Sequence, residues 1–138
     1  MNNTTEKLKQ QIKLNSFICG ISSDEVSFAK SLVENKCKDK TLFVCEGLWA
    51  VEKLIEKGLT VSHFFYNADK LEQDKISAEN LEKIAKMSKY SQKTYAISEK
   101  ACKKISDRDG YDEYFIVAKM KEYSLADIES LIAGKDNI

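Results

Sequence analysis

The spacing of apolar positions switches repeatedly along this chain between a strand-like and a helical period, and the switches outline its elements. The clearest case runs from Thr41 to Asn67. Thr41 to Cys45 is a short apolar run with aromatic and β-branched residues, which predicts a buried strand. Glu46-Gly47 breaks that run, and from Leu48 the period changes. Leu48, Val51, Leu54 and Ile55 fall on one helical face, with Glu52, Lys53, Glu56 and Lys57 on the other. Gly58 suits the left-handed conformation that often closes a helix, and Val61 to Tyr66 is a second strand. Strand, helix and strand at this spacing predict a βαβ unit with a parallel crossover.

The flanking segments alternate in the same way. Residues 1–16 are a polar, lysine-rich leader in which Leu8, Ile12 and Leu14 support either a helix or a mobile arm. Phe17 to Ile21 reads as a short extended piece. Ser22 or Ser23 caps a helix with Asp24 and Glu25 in its first turn and Val26, Ala29, Leu32 and Val33 as its buried stripe. Residues 68–76 read as a charged loop, after which Ser77 caps a helix with Leu81, Ile84 and Ala85 inward. Lys93 to Ile97 is a third strand, followed by a short Ser98-capped helix with Ala101, Cys102 and Ile105 inward and by a polar turn over 106–113. Tyr114 to Met120 is apolar apart from Lys119, which suits a central strand covered on both faces. Ser124 with Asp127 resembles a capping box for a last helix carrying Leu125, Ile128, Leu131 and Ile132. The alternation predicts an α/β fold: a three-layer α/β/α domain around a mainly parallel sheet of about four strands.

Composition narrows the function classes. At 138 residues, 43% hydrophobic and 32% charged, the chain is the size of one globular domain with its own core. No apolar run approaches the roughly 18 residues that span a bilayer, and the first residues, MNNTTEKLKQQIK, are too polar for a secretory signal. The four cysteines, at 19, 37, 45 and 102, lack CxxC spacing and read as reduced thiols, the pattern of a cytoplasmic protein. A single histidine, His63, lies in a predicted strand, so no metal site is expected. Net charge is zero, but residues 1–104 hold 18 lysines against 14 acids, while residues 105–138 hold 4 basic residues against 8 acids. Arg108 is the one arginine, so phosphate recognition here has to rest on lysines acting as point charges.

Two stretches carry a resemblance to a known family. The first is LFVCEGLWAVEKLIEKG, preceded by Lys36, Lys38 and Lys40 and followed by an apolar strand. The second is ISEKACKKISDRDGYDEYFIVAKM, in which a Ser-capped helix leads through lysines and a polar turn to an apolar strand. Both, in this order, resemble the N-terminal substrate-binding domain of SpoU/TrmH-type RNA 2′-O-methyltransferases over about residues 17–123. The family turn is often Ser-Asp-Arg-Asp-Asn-Pro-Asp-Gly. Ser106-Asp107-Arg108-Asp109 matches it, Gly110-Tyr111 replaces Asn-Pro, and Glu113 replaces the glycine.

The resemblance implies a fold similar to kink-turn-binding ribosomal proteins and an RNA partner, rRNA or tRNA. It implies a homodimeric parent enzyme that transfers methyl groups from AdoMet through a separate knotted catalytic domain of the same polypeptide. The Asn-Gly pair followed by arginine and the glycine-rich cofactor loops of that domain have no counterpart in these 138 residues. The chain therefore reads as a leader (1–16), an RNA-binding domain (17–123) and a linker helix (124–138), with no catalytic residue, no cofactor and no methyl transfer of its own. Two other readings stand beside it: a stand-alone RNA-binding protein of the same fold, and a small α/β domain that binds a protein or metabolite.

The candidate RNA-binding residues are Lys36, Lys38, Lys40, Lys103, Lys104, Arg108 and Tyr111. Each lysine cluster reads equally as a solvated turn or a phosphate-contacting loop, and Tyr111, in a loop, is the stacking candidate. Glu46 and Gly47 read as structural, one meeting backbone amides or a lysine, the other supplying a backbone conformation. Trp49, Phe64, Phe65, Tyr66 and Tyr114 lie in predicted elements and are assigned to the core. In a parallel sheet the two lysine loops, which enter the first and fourth strands, would share one rim.

Overall fold

The computed structural model describes residues 3–39, 41–106 and 113–119. A five-stranded sheet organises them, built from β1 (Ser16–Ile18), β2 (Leu42–Glu46), β3 (Thr60–Asn67), β4 (Lys93–Ile97) and β5 (Tyr114–Lys119). Its spatial order is β1-β4-β3-β5-β2. β1, β4 and β3 pair in parallel, whereas β5 pairs antiparallel with both β3 and β2. Strands β1 to β4 thus point one way and β5 runs against them.

The predicted βαβ unit is present in a split form. α3 (Val51–Glu56) carries the chain from β2 to β3 in the same direction, but β5 lies between those two strands. The sequence of β5 fits this slot because both of its faces are apolar. Phe115 and Val117 face one core cluster, Ile116 and Ala118 the other, and all four are fully buried.

Helices cover both faces, as a three-layer domain requires. On one side α1 (Asn3–Leu14), α3 and α5 (Ala78–Tyr90) bury Ile12, Leu54, Leu81 and Ile84 against Phe64 and Tyr66. On the other, α2 (Asp24–Val33) and α6 (Glu99–Ser106) bury Val26, Ala29, Ala101 and Ile105 against Phe65, Tyr95 and Phe115. A bulge between Val61 and His63 shifts the alternation of β3, so Val61 joins the same cluster as Phe64 and Tyr66. His63 then turns to the α2 side. Its ring lies 4.9 Å from Phe28 and stacks at 5.9 Å on Tyr95, while Nδ1 sits 2.7 Å from the Ser62 hydroxyl.

One open reading is decided and one reading changes. The leader is the helix α1, anchored by fully buried Ile12. The segment expected to be a charged loop begins with a short helix, α4 (Ala68–Glu72), because the Asn67 side chain accepts the Lys70 amide at 3.2 Å and Leu71 is buried. The expected last helix, with Leu125, Ile128, Leu131 and Ile132, lies outside the described residues.

Candidate nucleic-acid interface

The two lysine-bearing segments sit at opposite rims of the sheet. Leu42, at the start of β2, is the register partner of Lys119, at the end of β5; Glu46 is the partner of Phe115, near the start of β5. The turn that feeds β2 therefore lies at the rim where the parallel strands begin. The segment that feeds β5 lies at the rim where they end. The expectation of a shared rim fails because β5 is antiparallel, and roughly 14 Å of strand separates the two ends.

At the amino rim, the lysine turn grows out of the end of α2. Asn35 takes a left-handed conformation, φ 58°, and donates to the Leu32 carbonyl, while the Lys36 amide donates to Ser31 at 2.7 Å. This is the paired closure of a Schellman motif, with asparagine in the place glycine often holds. It turns Lys36 outward, where its ammonium lies 3.8 Å from Glu34, and Lys38 is exposed beyond it. Asp39 is held below the usual carboxylate range by hydrogen bonds from the Thr41 hydroxyl and amide. Lys40 lies outside the described residues.

At the carboxyl rim, α6 starts from Ser98, whose hydroxyl accepts the Ala101 amide at 3.1 Å. Lys103 is exposed. Lys104 is a packing contact: its ammonium donates to the Ile21 carbonyl at 2.9 Å, and its own carbonyl accepts Lys30 Nζ at 2.9 Å. These bonds tie α6 to α2 and to the loop before it. One turn on from Lys103, the Ser106 hydroxyl donates to Glu46 Oε1 at 3.2 Å, joining the end of α6 to the end of β2. Lys70 pairs with Glu113 at the entry to β5. Arg108 and Tyr111 lie outside the described residues.

Glu46-Gly47 forms the elbow at this rim. Gly47 has φ 101°, a region that side-chain-bearing residues rarely enter, and its amide donates to the Tyr114 carbonyl at 2.8 Å. The Glu46 carbonyl accepts the Trp49 indole N–H at 2.9 Å. Trp49 departs from its assignment to the core: it is 73% exposed, whereas Phe64, Phe65 and Tyr66 are fully buried. The signal was present in the helical stripe, since Leu48, Val51 and Leu54 leave position 49 off the buried face.

The titratable groups near this rim are poised for packing. Burial, with help from Glu113, pushes the Cys102 thiol up to about 12 and the Tyr114 phenol up to about 12. Neither supplies a nucleophile near neutral pH. Burial and nearby Lys93 hold His63 below the ordinary imidazole value, so it is a neutral ring in the sheet. No group of three or more His, Cys, Asp or Glu among the described residues is placed to hold a metal ion. None of their helices is long and apolar enough to cross a membrane.

No protein-family model matches the sequence, and no curated protein does either. Solved structures do share the fold. An rRNA methyltransferase from Sinorhizobium meliloti superposes with a TM-score of 0.56 at 20% identity, covering 80% of this chain and 39% of that one. The chain shares its fold with about two-fifths of that enzyme. An RNA 2′-O ribose methyltransferase gives a TM-score of 0.57 at 19% identity over 79% of this chain and 40% of its own. AviRb from Streptomyces viridochromogenes, a SpoU methyltransferase in complex with AdoMet, gives 0.55 at 15% identity over 75% and 38%. The chain thus spans about two-fifths of the length of these RNA methyltransferase structures.

Proposed function

We propose that this chain is the RNA substrate-binding domain of an AdoMet-dependent RNA ribose 2′-O-methyltransferase. One observation carries the reading: about four-fifths of the chain matches RNA methyltransferases while filling only two-fifths of their length. The parts of the proposal beyond the fold are an rRNA or tRNA substrate, a catalytic domain in the same polypeptide that binds AdoMet and transfers the methyl group, a homodimeric parent and a cytoplasmic setting. The domain division at residues 17–123 and 124–138 belongs to the same reading. These 138 residues alone bind RNA and transfer no methyl group.

The carboxyl rim is the proposed RNA face. Lys103 is exposed on α6, one turn before the Ser106 that bonds Glu46, and Lys104 bonds the Ile21 carbonyl. Each phosphate contact contributes just under one unit to the log–log dependence of affinity on salt. The test is titration of fluorescently labelled rRNA fragments and bulk tRNA at several salt concentrations, with a parallel calorimetric titration of AdoMet. Lys103→Ala should flatten the slope by just under one unit, and Lys38→Ala, at the other rim, should leave it unchanged. Loss of slope on Lys38→Ala alone would move the face to the amino rim. Salt-independent binding, or micromolar AdoMet binding by these residues, would overturn the proposal.

A further inference from the structure

The elbow after β2 holds one large aromatic ring in a fixed position and in water. Residue 49 directly precedes Ala50, the N-cap of α3. An apolar residue there commonly folds down onto the fourth helical residue, in this chain Leu54. Trp49 turns back over the elbow. A Cβ built at Gly47 would stand 3.2 Å from Trp49 Cδ1 and 3.8 Å from Nε1, so the five-membered edge of the indole packs closely over Gly47. Its N–H donates to the Glu46 carbonyl at 2.9 Å, which satisfies the ring's one polar group internally. What remains for solvent is apolar ring surface, on a residue 73% exposed.

Gly47 and the Glu46 carbonyl are in turn anchored. The Gly47 amide bonds to the Tyr114 carbonyl of β5, and the Glu46 carboxylate accepts the Ser106 hydroxyl of α6. The ring is thus positioned by two strands and a helix while burying little of itself. A pre-positioned aromatic surface loses little conformational freedom on binding, and one whose N–H is already paired recognises by stacking.

We infer that Trp49 is a stacking platform for an unpaired base of the RNA. The inference rests on the proposed RNA-binding role and adds a requirement to it: the RNA at the carboxyl rim is single-stranded, because a base inside a duplex is already stacked on both sides.

Trp49 is the chain's one tryptophan, so its fluorescence reports this site alone. The experiment titrates an unstructured oligouridylate of about 12 nucleotides, within the site sizes single-strand binders use, and the same number of nucleotides closed into a hairpin stem. Binding is read by anisotropy of a label on the RNA and separately by Trp49 emission. The expected result is quenching by the single strand that saturates with the anisotropy change, weak quenching by the stem, and roughly tenfold weaker single-strand affinity in Trp49→Ala. Trp49→Phe, which keeps a ring, should recover most of that affinity. Thermal unfolding of both variants near the parent value would confirm that the loss is local. Single-strand binding with unchanged Trp49 emission and with parent affinity in Trp49→Ala overturns the platform and leaves the RNA reading standing. Absence of anisotropy change with the single strand while the rRNA fragments or tRNA bind overturns the platform, and absence with all of these RNAs overturns the RNA reading itself.

Discussion

The turn from Lys36 to Asp39 and the end of α6 from Lys103 to Ser106 look alike in sequence: lysines beside a polar turn, each leading into a strand. In the folded chain they share almost nothing. The first is closed by its own backbone through Asn35, and its lysines project outward with Glu34 alongside. The second is bound to the rest of the domain at several points, through Lys104 to Ile21, Ser106 to Glu46 and Ser98 to Ala101. A lysine pair therefore says little until its partners are known. An ammonium that caps a carbonyl, as Lys104 does, is part of the fold.

The largest effect that would sharpen this contrast is expected at the elbow of the carboxyl rim. Gly47→Ala places a side chain at φ 101° and within 3.2 Å of Trp49 Cδ1, and should destabilise by about 2 kcal/mol. Urea unfolding measures it. A cost below about 0.5 kcal/mol would mean that the elbow relaxes and that the ring is not fixed. The counterpart at the other rim is Asn35→Gly, at φ 58°, which should leave stability within about 0.5 kcal/mol of the parent because glycine suits that closure.

A smaller difference separates the two lysines themselves. Lys104→Met removes a donor to the Ile21 carbonyl and should cost about 1 kcal/mol. Lys36→Met loses only an exposed ion pair at 3.8 Å and should cost less than about 0.5 kcal/mol. Equal costs in the same unfolding assay would erase the distinction between the rims.

The smallest effect concerns the middle of β3, between the rims. Burial holds His63 below its ordinary value, so in acid the unfolded chain takes up a proton before the folded one does. Stability should be level above about pH 6.5 and decline as pH falls from there toward the folded-state value. Thermal unfolding at pH 7.5 and 5.5 should show the decline in the parent chain and a flatter profile in His63→Phe, which keeps an aromatic ring between Phe28 and Tyr95. Identical declines in both would assign the effect to other groups.

Much of the domain was legible before folding because its signals are local. Ser23, Ser77 and Ser98 cap the helices they were expected to cap, each accepting an amide three residues on. The stripes on α5 and α6 are buried as their spacing requires, and on α2 Val26 and Ala29 are buried while Leu32 and Val33 are half-buried. α4 was missed because its signal is a single capping asparagine at the end of a strand, with five helical residues too few to establish a period.

The amino-acid sequence by itself determined the alternation of strands and helices and the two-faced burial of Phe115 to Ala118. Periodicity and capping act over three or four residues and need no partner to be read. Only the tertiary structure decided that β5 enters antiparallel between β2 and β3, that the two lysine segments occupy opposite rims, and that Lys104 serves the fold while Trp49 stays in water. A strand apolar on both faces satisfies burial in either direction. Its direction is set by where the preceding helix delivers the chain, here at the carboxyl rim, where Ser106 meets Glu46 and the Tyr114 carbonyl meets the Gly47 amide.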